Sequence, residues 1–162
     1  MTGNDGNDTL YRAGLVNEMR PAIALFKEEK AAQDAAMAAF GTGKIKTCSD
    51  LGAAGIGAAI CESARYGGLG ARIDLSSVPV SVKDLIPQEI LICETQARYV
   101  VHVAPESVDE VLKAIRSKYN YAAVIGEVTS DDKEVFEYNG EVVATIPNKP
   151  SKETLEALRS GK

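Results

Sequence analysis

The 162-residue sequence has no tryptophan, a single histidine and only three cysteines. Each scarcity removes a class of chemistry. Cys48, Cys61 and Cys93 form no C-x-x-C pair, and with His102 as the lone imidazole neither a zinc site nor a disulfide framework is supported. The three cysteines are expected to be reduced thiols that pack as small core hydrophobes. No apolar run approaches the ~20 residues that cross a bilayer, and residues 1–11 lack a basic stretch followed by an apolar one. A cytoplasmic protein without a membrane partner is expected. The 18 Lys and Arg residues are scattered and the net charge is -5, so no basic stripe is available to neutralise a phosphate backbone, and nucleic acid is set aside.

What remains is a globular composition, 45% hydrophobic and 25% charged, in a chain long enough for one sizeable core. Residues 1–8 are rich in Gly, Asn and Asp, and residues 1–19 are expected to form a flexible lead. Residues 20–150 are expected to form the domain proper, and residues 151–162 a short helix and tail. No internal repeat is visible.

Residues 24–40 are dense in strong helix formers, with Leu25, Phe26, Ala32, Ala36 and Phe40 on one side. They predict an amphipathic helix stopped at Gly41 and Gly43. Residues 44–48 read as a strand, and residues 56–66 as a helix ended by Gly67-Gly68. Residues 69–75 alternate with the period of a half-buried strand. Pro79 and Pro87 bracket a connection. Residues 97–103 predict another strand, and Ser107 with Glu110 has capping-box spacing ahead of a helix marked by Val108, Val111, Leu112, Ile115 and Tyr119. Residues 121–128 predict an apolar strand. Asn139-Gly140, between residues 135–138 and 141–146, predicts a hairpin through a type I′ turn. Lys152 opens a last short helix. The mixture of helix-linked and hairpin-linked strands predicts an α+β fold, a single mixed sheet with helices packed on one face.

Two segments could carry chemistry. The run Asp50-Leu51-Gly52-Ala53-Ala54-Gly55 sets a carboxylate at a strand's end, ahead of a helix. There it could serve as a helix N-cap or as a hard-cation ligand, while the glycines let backbone N–H groups approach an anion. It lacks the G-K-[ST] half of a P-loop. The run from Glu89 to Arg98 puts Glu94, Thr95 and Gln96 just ahead of a strand, where polar groups either bind ligand or cap a turn. His102 sits in a strand's apolar alternation, a structural placement more than a basic one. No nucleophile, base and orienting group can be assembled, which argues against an independent enzyme.

The string Asp50-Leu-Gly-Ala-Ala-Gly-Ile56, then Gly67-Gly-Leu-Gly70, Asp74-Leu75, Val78-Pro79, Pro87-Gln-Glu-Ile-Leu91 and Glu94-Thr-Gln-Ala-Arg98 resembles the phosphoribosylformylglycinamidine synthase family. The likeness is to its C-terminal-type domain of the aminoimidazole ribonucleotide synthetase superfamily. Ala123-Val-Ile-Gly-Glu-Val-Thr129, Gly140-Glu-Val-Val-Ala144 and Ile146-Pro147 resemble the same domain's closing strands. The matches run in one order from Arg20-Pro21-Ala22 to Pro147.

The resemblance implies ATP- and Mg²⁺-dependent amidation of formylglycinamide ribonucleotide in purine synthesis. The ammonia would come from a glutaminase subunit or domain. The catalytic histidine and nucleotide site would lie on an ATP-binding-type partner domain of the same synthase, so this chain alone is expected to be inactive. Carried over residue by residue, Asp50 is similar to the family's magnesium ligand, and Glu94-Thr95-Gln96 to its substrate-binding Glu-Ser-Gln. The chain departs from the pattern at Ser49, where the family has Gln. It departs again at Ile23-Ala24-Leu25-Phe26, where the family has a substrate-binding Gln and a Gly-Asp-Pro or Gly-Asn-Pro. Two other readings remain open: a free-standing ligand-binding or regulatory module that kept the fold, and a domain of another enzyme of the same superfamily.

Overall fold

The computed structural model describes residues 14, 26–81, 84–95 and 97–160. Apart from residue 14, the lead over residues 1–19 lies outside the described residues, as does the Arg20-Pro21-Ala22 match. The elements are α1 (Phe26–Gly41), β1 (Ile45–Asp50), α2 (Gly55–Tyr66), β2 (Gly70–Asp74), α3 (Pro87–Ile92), β3 (Tyr99–Val103), α4 (Val108–Arg116), β4 (Gly126–Thr129), β5 (Lys133–Tyr138), β6 (Glu141–Pro147) and α5 (Lys152–Ser160).

The α+β class holds, and the strands are distributed over two sheets rather than one. β1 and β3 form an antiparallel ribbon, while the second sheet has the order β4-β2-β5-β6. In that sheet β2 runs parallel to β5 and antiparallel to β4. One strand is also shorter than expected. Of the apolar run expected as one strand over residues 121–128, only Gly126–Thr129 forms a ladder, so β4 is a short edge strand. Ahead of it, the carbonyl of Ile125 accepts from the Asp74 N–H at 2.8 Å and the run then leaves the sheet.

Where sequence patterning is strong, the structure follows it. Ala71 and Ile73 of β2 are buried and Arg72 between them is exposed, as period-2 alternation requires. β5 and β6 join through Asn139 and Gly140, whose φ angles of 52° and 83° are those of a primed hairpin turn. The Asn139 N–H also donates to Ser76 Oγ at 2.7 Å. α2 ends as its glycines predict: the N–H groups of Gly68 and Leu69 return to the carbonyls of Arg65 and Ala64, a Schellman closure.

α1 turns differently from its expected orientation. Phe26 and Phe40 are exposed, and the buried side is made of Ala35 and Ala39. Small side chains allow a close approach, and the helix lies against α4, to which it is tied by the Tyr119 hydroxyl donating to Glu28 Oε2 at 3.4 Å. Ser107 precedes α4 without making the expected side-chain cap, because a 3-10 turn over Pro105–Ser107 runs directly into the helix. The core joins α2 to the second sheet through Ile56, Ile60, Ile73, Leu75 and Phe136, with Val100 reaching in from the ribbon.

Candidate functional site

The two segments singled out in the sequence are brought side by side. β1 ends at Asp50, paired across the ribbon with Tyr99 of β3. One residue on, the Leu51 N–H donates to the Arg98 carbonyl at 3.0 Å. The chain then makes a tight turn in which the Gly55 N–H returns to the Gly52 carbonyl at 3.0 Å. Ala54 and Gly55 both take left-handed backbone angles, φ 59° and 54°.

This turn corrects one expectation. The residue at the start of α2 is Ala54, without a side-chain cap, so Asp50 is not the helix cap. Ala54 and Gly55 in left-handed conformation separate the carboxylate from the first helical N–H groups. Asp50 is left exposed on the turn. Its exposed carboxylate fits Mg²⁺ as a single ligand, since this ion is held by one or two carboxylates with substrate phosphates and water completing its octahedron. The described residues contain no group of three His, Cys, Asp or Glu side chains that could cage a metal.

The second segment contains a helix that the sequence reading did not find. Pro87 opens α3, and Glu89 Oε2 accepts the Ile86 N–H at 3.1 Å, closing the first turn. Pro at the first helical position with Glu two residues on was the available signal. α3 ends where the Cys93 N–H donates to Glu89 O at 3.1 Å. Thr95 is buried, with its hydroxyl 3.2 Å from Cys93 Sγ. Glu94 is half-buried. Gln96 lies outside the described residues. Ala97, with φ 52°, turns the chain into Arg98 and then β3. Arg98 and Thr95 also border a largely apolar cavity of about 610 Å³ between α1, α4, β3 and residues 121–128.

The remaining titratable groups play supporting parts. Burial lowers the His102 pKa, holding the ring neutral near pH 7. Its Nε2 is 3.3 Å from Ser63 Oγ, whose proton is directed at the Ala59 carbonyl at 2.7 Å, a contact that locks α2 to β3. Cys61 and Cys93 are buried as expected, whereas Cys48 is exposed because it lies on β1, a strand none of whose residues is fully buried, in a two-stranded ribbon. Burial pushes the Cys61 thiol up to about 11, with the charge of Glu134 adding to it.

An Asp-bearing glycine turn lies beside a polar loop on an α+β frame. The chain belongs to the family of the AIR synthase related protein, C-terminal domain, whose model matches residues 4–159. Among curated relatives, the phosphoribosylformylglycinamidine synthase subunit PurL of Methanosarcina mazei is 44% identical over 132 residues. That match covers 80% of this chain and 18% of the relative. Among solved structures, phosphoribosylformylglycinamidine synthase II of Thermotoga maritima superimposes with a TM-score of 0.74 at 27% identity, covering 91% of this chain and 23% of that one. The T. maritima PurL complexed with FGAR gives a TM-score of 0.70 at 31% identity, covering 74% and 20%. PurL of that organism has also been solved with ATP and within PurLQS. The chain thus spans about a fifth of the length of the proteins it matches.

Proposed function

We propose that this chain is the C-terminal-type domain of a phosphoribosylformylglycinamidine synthase, serving the ATP-dependent amidation of formylglycinamide ribonucleotide in the cytoplasm. Its part is to contribute contacts to substrate and magnesium. Asp50 supplies one oxygen ligand to Mg²⁺, and the ion's remaining ligands come from phosphates and water. Glu94 and Gln96 serve as ribonucleotide contacts: a carboxylate accepts from sugar hydroxyls, and an amide both donates and accepts. Thr95, the middle residue of the triplet, serves the site from beneath, where its hydroxyl meets Cys93 Sγ. The nucleotide site and the catalytic base belong to an ATP-binding-type domain of the same synthase, and ammonia arrives from a glutaminase subunit or domain.

One observation carries this reading: Asp50 and the residue 94–98 segment, 44 or more positions apart in sequence, are clasped together by the Asp50–Tyr99 pairing and the Leu51–Arg98 hydrogen bond. A module that had merely kept the fold would keep this adjacency as well, so the two readings part at the metal and substrate contacts themselves. The test is the Mg²⁺ dependence of a complete synthase carrying this domain. Asp50→Asn should raise the Mg²⁺ concentration needed for half-maximal rate. An unchanged requirement with unchanged rate would remove Asp50 from the metal site.

A further inference from the structure

We propose that Gly55 and Arg98 are positioning residues that fasten the loop carrying Glu94 and Thr95 to the Asp50 turn, both by engaging Cys93. What the loop does for substrate rests on the function proposed above; its fastening does not.

Cys93 is engaged at every polar group it has. Its N–H donates to Glu89 O at 3.1 Å. Its thiol sulfur lies 3.2 Å from Thr95 Oγ1 and 3.8 Å from Arg98 Nη1, and its carbonyl oxygen lies 3.5 Å from Arg98 Nη2. Against the same carbonyl comes Gly55. A Cβ added there would overlap Cys93 O and stand 3.1 Å from Ile92 C and 3.2 Å from Cys93 N. Only glycine permits both this approach and the left-handed angle of Gly55.

Arg98 completes the attachment from the other direction. The left-handed turn at Ala97 sends its side chain back to Cys93, five residues earlier, while its own carbonyl accepts from Leu51 on the Asp50 turn. A single residue therefore contacts both segments, the turn by its backbone and the loop's root by its guanidinium. The planar fork addresses the sulfur and the oxygen at once, which an ammonium group does not reproduce.

The test uses the chain itself with Cys48→Ser, so that the exposed thiol does not compete. Iodoacetamide labelling at Cys93 and Cys61 is followed site by site under native conditions. Arg98→Gln should accelerate labelling at Cys93 by about tenfold or more through local opening, with little change at Cys61. Acceleration confined to Cys93, with Cys61 in the same chain as the internal reference, reports movement of the loop. Arg98→Lys should fall between. Gly55→Ala should act like Arg98→Gln, and if it fails to fold the arginine variants carry the test. An unchanged rate at Cys93, or equal acceleration at Cys93 and Cys61, would overturn the proposal.

In a complete synthase, Arg98→Gln should raise KM for the ribonucleotide and leave KM for ATP unchanged, a division that general destabilisation does not produce. Glu94→Ala measured alongside separates the two claims. If Glu94→Ala leaves the ribonucleotide KM unchanged while Arg98→Gln frees Cys93, the fastening stands and the loop's substrate role falls. If Glu94→Ala raises that KM while Cys93 stays protected in Arg98→Gln, the fastening falls.

Discussion

Glu134 of β5 has no exposed surface, and the nearest compensating charge is the Nε of Arg65 at 3.8 Å, on a side chain that is 42% exposed. Among the described residues no well-formed hydrogen bond reaches either carboxylate oxygen, and the neighbouring Cys61 thiol is a weak donor at best. Desolvating a carboxylate costs several kcal/mol, and one partner that is itself half in water returns only part of it. Because Arg65 can hydrate fully when left alone, Glu134→Leu should stabilise the chain. A gain of about 1 kcal/mol would raise the melting temperature by roughly 2–4 °C. A lower melting temperature would show that the pair is net favourable.

The same carboxylate acts on Cys61. Burial first and the Glu134 charge second push that thiol up to about 11 from 9.0. A group whose folded pKa lies above its unfolded value contributes stability that is fully present below the unfolded pKa and is lost as pH rises through the folded one. The chain should therefore lose stability between pH 9 and 11. Cys61→Ala should flatten that part of the curve, as urea midpoints across this range will show. Identical slopes for the two proteins would remove Cys61 as the cause.

The hairpin turn depends on Gly140, whose φ of 83° is costly for residues with a Cβ. Nothing lies within 4 Å of an added Cβ, so Gly140→Ala tests backbone conformation without a clash. It should lower stability by about 1 kcal/mol, measured by denaturant unfolding. No loss would mean that the turn relaxes to another type.

The chain alone should not form the amidine, since it spans only about a fifth of the length of the synthases it matches. ADP release from ATP, ribonucleotide and ammonia, measured at high protein concentration, checks this. Turnover above the rate without protein would contradict it.

Local signals in the sequence translated well where one residue type answers one backbone demand. Asn139-Gly140, Gly67-Gly68 and the alternation through Ala71, Arg72 and Ile73 each specified their structure directly. The orientation of α1 was illegible because alanine has almost no hydrophobic preference of its own: the exposed Phe26 and Phe40 outweighed Ala35 and Ala39 in the pattern, while packing against α4 favoured the small face. The two-sheet division depends on which strands meet across long stretches of chain, and the apolar run over residues 121–128 looks the same whether or not it finds a ladder. At the site, Asp50 and Glu94 were visible as residue types with a known resemblance. Cys93 and Arg98, which tie the segments together, were not, because their roles arise from contacts made only after folding.

The most direct test of the central claim is the kinetic effect of Glu94→Ala in a complete synthase that contains this domain. Hydrogen bonds to a charged group are worth about 1.5–3 kcal/mol, so loss of that contact should lower kcat/KM for the ribonucleotide by about 10- to 150-fold, with the melting temperature unchanged. A lowered melting temperature with unchanged kcat/KM would contradict the account, because it would mean that Glu94 supports the loop and does not touch the substrate.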